Sequence, residues 1–117
     1  MKTVLLVPRP LVVVTALLLG LLLPTLALAA GTLTITLLDI GQGDATLIES
    51  PSGQTLLFDS GDNGKGNSVV IPFLQGRGIT SLDYTVASHY HSDHIGGMDE
   101  VASQIPIGIA YDRGFSY

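Results

Sequence analysis

An α/β fold of mixed strands with helices on one face follows from three features of this 117-residue chain. Segments with the two-residue period of strands, or with strand-forming composition, fall at 31–37, 45–49, 55–58 and 83–88. Apolar residues at helical spacing fill 68–75, between the third and fourth of these. A second helical stretch follows Gly96-Gly97 and leads to a further apolar run, 105–111.

Met1 to Pro10 carries Lys2 and Arg9, Leu11 to Leu23 is apolar apart from Thr15 and Gly20, and Pro24 precedes Thr25-Leu26-Ala27-Leu28-Ala29-Ala30. A cationic lead, an apolar run and Ala27-x-Ala29 form the layout of a secretory signal peptide over 1–29, cleaved after Ala29. The competing reading is an uncleaved anchor, since Leu11–Ala30 approaches the roughly 20 residues that cross a bilayer. Both readings put residues 30–117 outside the cytoplasm, as a secreted or periplasmic domain or as one anchored and facing outward. Contact with a membrane is expected only for the anchor.

Gly31 to Leu37 alternates threonine with aliphatic residues, so Leu33, Ile35 and Leu37 are expected to face a core and the threonines solvent. Gly41-Gln42-Gly43-Asp44 interrupts, and a plain turn and a functional loop fit it equally. Ala45–Glu49 and Thr55–Phe58 read as a hairpin whose turn is supplied by Pro51 and Gly53. Asp59-Ser60-Gly61 ends the second strand. The polar stretch Asp62–Asn67 has no period and is expected to be a mobile loop near the site mouth. Ser68 reads as an N-cap with Pro72 in the opening turn, and Gly76 and Gly78 close that helix. After the strand at 83–88, Met98, Val101 and Ala102 form the buried side of the next helix. Its Asp99 and Glu100 are read as first-turn electrostatics.

All three histidines fall within His89-Tyr90-His91-Ser92-Asp93-His94, between the fourth strand and Gly96-Gly97. Imidazole and carboxylate together suit zinc, and less selectively manganese or iron. In extended backbone residues i and i+2 point the same way. His89 and His91 can therefore converge on one ion about 2 Å from each nitrogen. Asp93 and His94 face elsewhere once the chain turns, so two ions roughly 3.5 to 4 Å apart could share the four pairwise.

The absence of cysteine excludes a disulfide framework and a thiolate zinc site. Beyond residue 30 three cations face ten anions, a net charge of −7, and no basic patch for nucleic acid is present.

His-x-His-x-Asp-His after a strand resembles the signature of the metallo-β-lactamase superfamily. Three further stretches match in order: Leu38-Asp39-Ile40-Gly41-Gln42-Gly43-Asp44-Ala45, Leu57-Phe58-Asp59-Ser60-Gly61, and Ile71-Pro72-Phe73-Leu74 leading to Arg77-Gly78-Ile79. The first is similar to the branch containing the C-terminal domain of ComEC-type DNA-uptake proteins. The resemblance implies the N-terminal half of an αβ/βα sandwich, with 30–117 a partial domain whose further metal ligands lie in a second half. It also implies two zinc ions per complete site, His89 and His91 on the first, Asp93 and His94 on the second, and Asp93 as the catalytic group orienting water. Asp59 would support the histidine loop rather than ligate. Gln42 and Asp44 would be structural or stand behind the ligands.

The function implied is metal-dependent hydrolysis by activated water, on a small molecule or, by analogy with that branch, on phosphodiesters including nucleic acid. An ester or lactam hydrolase on the same scaffold, or a non-catalytic metal-binding or interaction module, are the alternatives.

Overall fold

The computed structural model describes residues 31–114. The leader reading for 1–29 lies outside the described residues. Among those described, no helix is long and apolar enough to cross a membrane.

One five-stranded sheet has the order β1 (Thr34–Leu37), β2 (Thr46–Glu49), β3 (Thr55–Phe58), β4 (Leu82–Val86), β5 (Ile107–Tyr111). β1 to β3 pair antiparallel, and β3, β4 and β5 pair parallel. A parallel pair needs a crossover, and crossovers are right-handed. Because β3, β4 and β5 are laid down in one direction across the sheet, that rule puts both crossovers on the same face. The first contains α1, a π-helical turn Gly66–Val70 running into the α-helix Ile71–Gly76. The second contains two short helices, α2 (Ser92–Ile95) and α3 (Met98–Gln104). The mixed sheet with helices on one face is the fold expected for a half-sandwich.

The core lies between that face and the helices. Leu47, Leu57 and Leu82 belong to one buried cluster with Val70, Ile71 and Leu74 of α1 and Val101 and Ile105 of the second crossover. Ile105 takes the core position assigned to Ala102, which is exposed; Met98, Val101 and Ile105 are the residues that share a helix side.

The phase of β1 is opposite to expectation. Leu33, Ile35 and Leu37 are 55%, 56% and 77% exposed, while Thr34 and Thr36 are half-buried on the helix side. Register explains it, because Thr36 pairs with the fully buried Leu47 and so shares its face. Ile35 and Leu37 then join Leu56, Phe58, Tyr84, Ile109 and Tyr111 on the other face, which no described element covers. A sheet apolar on both sides is built to be a middle layer. Alternation alone tells two faces apart and not which of them the helices take.

Two helix-level expectations are also corrected. The helix begins at Gly66 rather than with Ser68 as its cap, and Ser68 instead donates from Oγ to the Gly64 carbonyl at 2.7 Å. Pro72 follows a π-turn, whose wider hydrogen-bond ring suits a residue with no N–H to give. The stretch 62–67 is tied down, because the Glu100 carboxylate of α3 accepts the Gly64 and Asn67 N–H groups, each at 2.7 Å. Glu100 thus caps another helix rather than only serving its own. Glu100→Ala is expected to cost about 1 to 2 kcal/mol, read as a lowered urea midpoint with unchanged slope.

Candidate metal centre

In a sheet whose parallel strands all end at one edge, side chains just past those ends converge, and ligands bind there. Here β3 delivers Asp59, β4 delivers Ser88 and His89, and the loop from β1 to β2 brings Gln42 and Asp44 to the same edge. His91 is extended (ψ 146°) and α2 starts at the next residue, so Asp93 and His94 sit on a helical turn and not in the loop itself.

The three rings nevertheless come together. His89 and His91 centroids are 4.7 Å apart and those of His89 and His94 4.0 Å apart. His89 Nε2 lies 3.2 Å from His91 Nδ1. Two nitrogens about 2.0 to 2.1 Å from one tetrahedral ion are separated by about 3.3 Å, so this pair has the spacing of adjacent ligands on a single zinc. Asp93 Oδ2 is 4.0 Å from His94 Nε2 and accepts a long 3.5 Å contact from Gln42 Nε2. The donor set and its spacing fit a divalent cation.

Asp59 is the least exposed member of the group. It is fully buried and adopts φ +56°, a left-handed conformation rare outside glycine but tolerated by aspartate. The turn aims its carboxylate under the histidine segment. Oδ1 accepts the Ser88 N–H at 2.8 Å, and Oδ2 accepts the Ser88 hydroxyl at 2.6 Å and His94 Nδ1 at 2.9 Å. With both oxygens engaged and no water access, Asp59 is placed to hold the loop. The next residue continues the clamp, because Ser60 N–H donates to the His94 carbonyl at 2.7 Å.

Asp44, Asp59 and His94 also offer ligand atoms within 4.8 Å of one another. Asp44 Oδ2 is 3.7 Å from His94 Nδ1, and its side chain is 62% exposed. Asp44 therefore joins the edge beside the histidines, where the family resemblance puts this loop. Gly43 has φ +100°, and a Cβ there would lie 1.7 Å from the Asp93 carbonyl oxygen. Gly97 is also tightly packed, its Cβ position 2.5 Å from the Gly66 nitrogen and the Ser60 carbonyl oxygen. These contacts hold the histidine segment against the sheet edge. A cleft lined by Ser81, Asp83, Pro106 and Ile109 among others opens at the far ends of β4 and β5, with no imidazole in its lining.

The hydrogen bond that His94 donates to Asp59, and next the Asp59, Asp93 and Asp44 charges, raise the His94 pKa above its ordinary 6.5, against the opposing effect of burial. In the metal-free chain this contribution to stability is complete below 6.5 and is lost as pH rises through the raised value. A cation held by His94 would have to displace that proton, so its binding would gain over the same rise in pH. Thermal denaturation is expected to show the metal-free chain losing stability from this group as pH rises above 6.5, and zinc-dependent stabilisation growing over the same rise.

The metallo-beta-lactamase superfamily pattern matches residues 38–115. Competence protein ComA of Neisseria gonorrhoeae is 38% identical over 77 residues, 66% of this chain and 11% of that protein. Recombination protein 2 of Haemophilus influenzae is 36% identical over 83 residues, 68% of this chain and 10% of that protein. ComE operon protein 3 of Bacillus subtilis is 32% identical over 78 residues. The chain spans about a tenth of the length of these curated relatives. Because the matched stretch takes in β2 to β5 and the whole histidine edge, the chain belongs to the metallo-β-lactamase superfamily.

Proposed function

We propose that this chain is the metal-holding part of an exported hydrolase that attacks phosphodiesters with metal-activated water. The observation that carries the reading is the 3.2 Å pair His89 Nε2 and His91 Nδ1, with His94 and Asp93 opening beside it. His89, His91 and His94 would hold zinc with Asp93. Cations bound there would lower the pKa of water toward neutrality and polarise the oxygen under attack. Asp93, steadied by Gln42, orients the attacking water and takes up its proton at Oδ2. Asp59 keeps the rings in place and touches no substrate. The names of the relatives, in competence and recombination, favour a nucleic-acid phosphodiester over other esters. With a net charge of −7 beyond residue 30, the positive field that such a substrate requires comes from the metals and from residues such as Arg113, stacked 5.1 Å over Tyr90 beside the histidines.

The test is zinc uptake by the chain followed by hydrolysis of bis-p-nitrophenyl phosphate and of nitrocefin, each with and without chelator. Zinc below one equivalent is expected, lower still in His91→Ala, with slow phosphodiester cleavage that chelation abolishes. Unchanged loading in His91→Ala contradicts the ligand assignment. Preference for nitrocefin selects a lactam hydrolase instead, and zinc uptake without turnover of either selects a non-catalytic metal-binding module.

A further inference from the structure

Ser88, which immediately precedes the histidine motif, stands between two groups that the metal reading treats separately. Its hydroxyl lies 2.6 Å from Asp59 Oδ2 and 3.0 Å from His89 Nδ1. An ionised carboxylate only accepts hydrogen bonds, and a hydroxyl has one proton to give. At 2.6 Å, the length of a charge-assisted O–H···O⁻ bond, that proton goes to Asp59. Toward His89 the serine oxygen can then only accept. His89 Nδ1 must therefore carry the ring proton, which leaves the lone pair on Nε2, the atom that faces His91 Nδ1 at 3.2 Å.

The same carboxylate acts on a second ring without an intermediary. His94 Nδ1 donates to Asp59 Oδ2 at 2.9 Å, so His94 too presents a bare Nε2. The Ser88 N–H on Asp59 Oδ1 at 2.8 Å fixes the serine backbone to the same group, so the hydroxyl has little freedom to turn away. Serine, histidine and aspartate thus meet in one chain of hydrogen bonds, but in an order that rules out a serine nucleophile. The serine lies between the other two and its proton is held by the acid, whereas a nucleophilic serine gives its proton to the histidine.

We infer that Ser88 is a positioning residue that relays the Asp59 carboxylate to His89, so that one buried acid sets the tautomers of two imidazoles, one directly and one through a hydroxyl. The tautomer assignment stands on hydrogen bonds present without any cation; only the use of the bare Nε2 rests on the proposed metal centre. Orienting partners behind a ligating histidine are worth 10- to 100-fold in metal affinity. Ser88→Ala leaves His89 Nδ1 facing water, where both tautomers are populated and one of them has its proton on the ligating atom.

Two-bond ¹⁵N–¹H correlation spectra of the full chain, metal-free and at a pH where the rings are neutral, read this directly. His89 and His94 are both expected in the Nδ1–H form. In Ser88→Ala only His89 should shift toward the Nε2–H form, and Ser88→Thr, which keeps the hydroxyl, should restore it. Competition with a chromophoric chelator should show zinc bound about 10-fold more weakly by Ser88→Ala and at wild-type strength by Ser88→Thr. Amide dispersion matching wild type certifies each variant as folded, and the exposed position of Ser88 favours that. A wild-type His89 in the Nε2–H form, or a His89 tautomer unmoved by Ser88→Ala, overturns the relay. If the tautomer moves while zinc affinity is unchanged in Ser88→Ala and in His89→Ala alike, the relay stands and the ligand role of His89 falls.

Discussion

Asp59→Ala is expected to reduce zinc affinity by 10- to 100-fold and to destabilise the metal-free chain by about 3 kcal/mol. The substitution strips three donors, the Ser88 N–H, the Ser88 hydroxyl and His94 Nδ1, of their shared acceptor at a position with no solvent access. It also puts alanine at φ +56°, where aspartate and asparagine are better tolerated. Asp59→Asn separates the two effects. Asparagine suits the backbone, so most of the stability should return. Its amide has one acceptor oxygen where the carboxylate has two, so the Ser88 and His94 contacts cannot all be kept and zinc affinity should remain low. Urea denaturation and chelator competition on the two variants check both halves. Equal zinc affinity in wild type and Asp59→Asn would show that the carboxylate does not orient the rings.

Gly43→Ala should be nearly as damaging although it removes no chemical group. A Cβ at Gly43 would lie 1.7 Å from the Asp93 carbonyl oxygen and 3.1 Å from the Asp93 Cβ. These atoms belong to backbone and to the base of a side chain, so nothing nearby can rotate out of the way. Either the 41–44 loop lifts from the edge or the Asp93–His94 turn is pushed outward. The Asp44 N–H to Asp93 carbonyl contact at 3.3 Å is lost in both cases. The expected cost is about 2 to 3 kcal/mol, with a loss of zinc affinity of about 10-fold or more. Gly41→Ala is the control. Gly41 also has positive φ, +77°, but its Cβ would meet nothing within 4 Å. It should cost about 1 kcal/mol and leave zinc binding alone. Similar zinc affinities for the two alanine variants would mean that the loop does not press on the metal segment.

Much of this architecture can be read from local rules. The hairpin at 46–58 declares itself by two strand-forming runs around Pro51 and Gly53, and the grouping of all three histidines announces the centre. What stays hidden depends on partners distant in sequence. The phase of β1 is decided by the pairing of Thr36 with Leu47 and by a sheet that is apolar on both faces, neither of which an alternating pattern reveals. Glu100 sits in a first helical turn, where helix-dipole electrostatics is a sufficient local reason for it, yet it caps a helix about 35 residues earlier in the chain. Ser88 is an ordinary residue at a strand end until the left-handed turn at Asp59, 29 positions upstream, brings a carboxylate beneath it. Asp44 reaches the site only because the β1–β2 loop and the ends of β3 and β4 share one sheet edge.

The central claim is that the imidazoles at this edge share a cation. X-ray absorption at the zinc edge on the loaded full chain tests it most directly. The account predicts a first shell containing at least two imidazole nitrogens at about 2.0 to 2.1 Å, with the imidazole multiple-scattering signal reduced in His91→Ala. A shell of oxygens alone, or a spectrum that His91→Ala leaves unchanged, would contradict it.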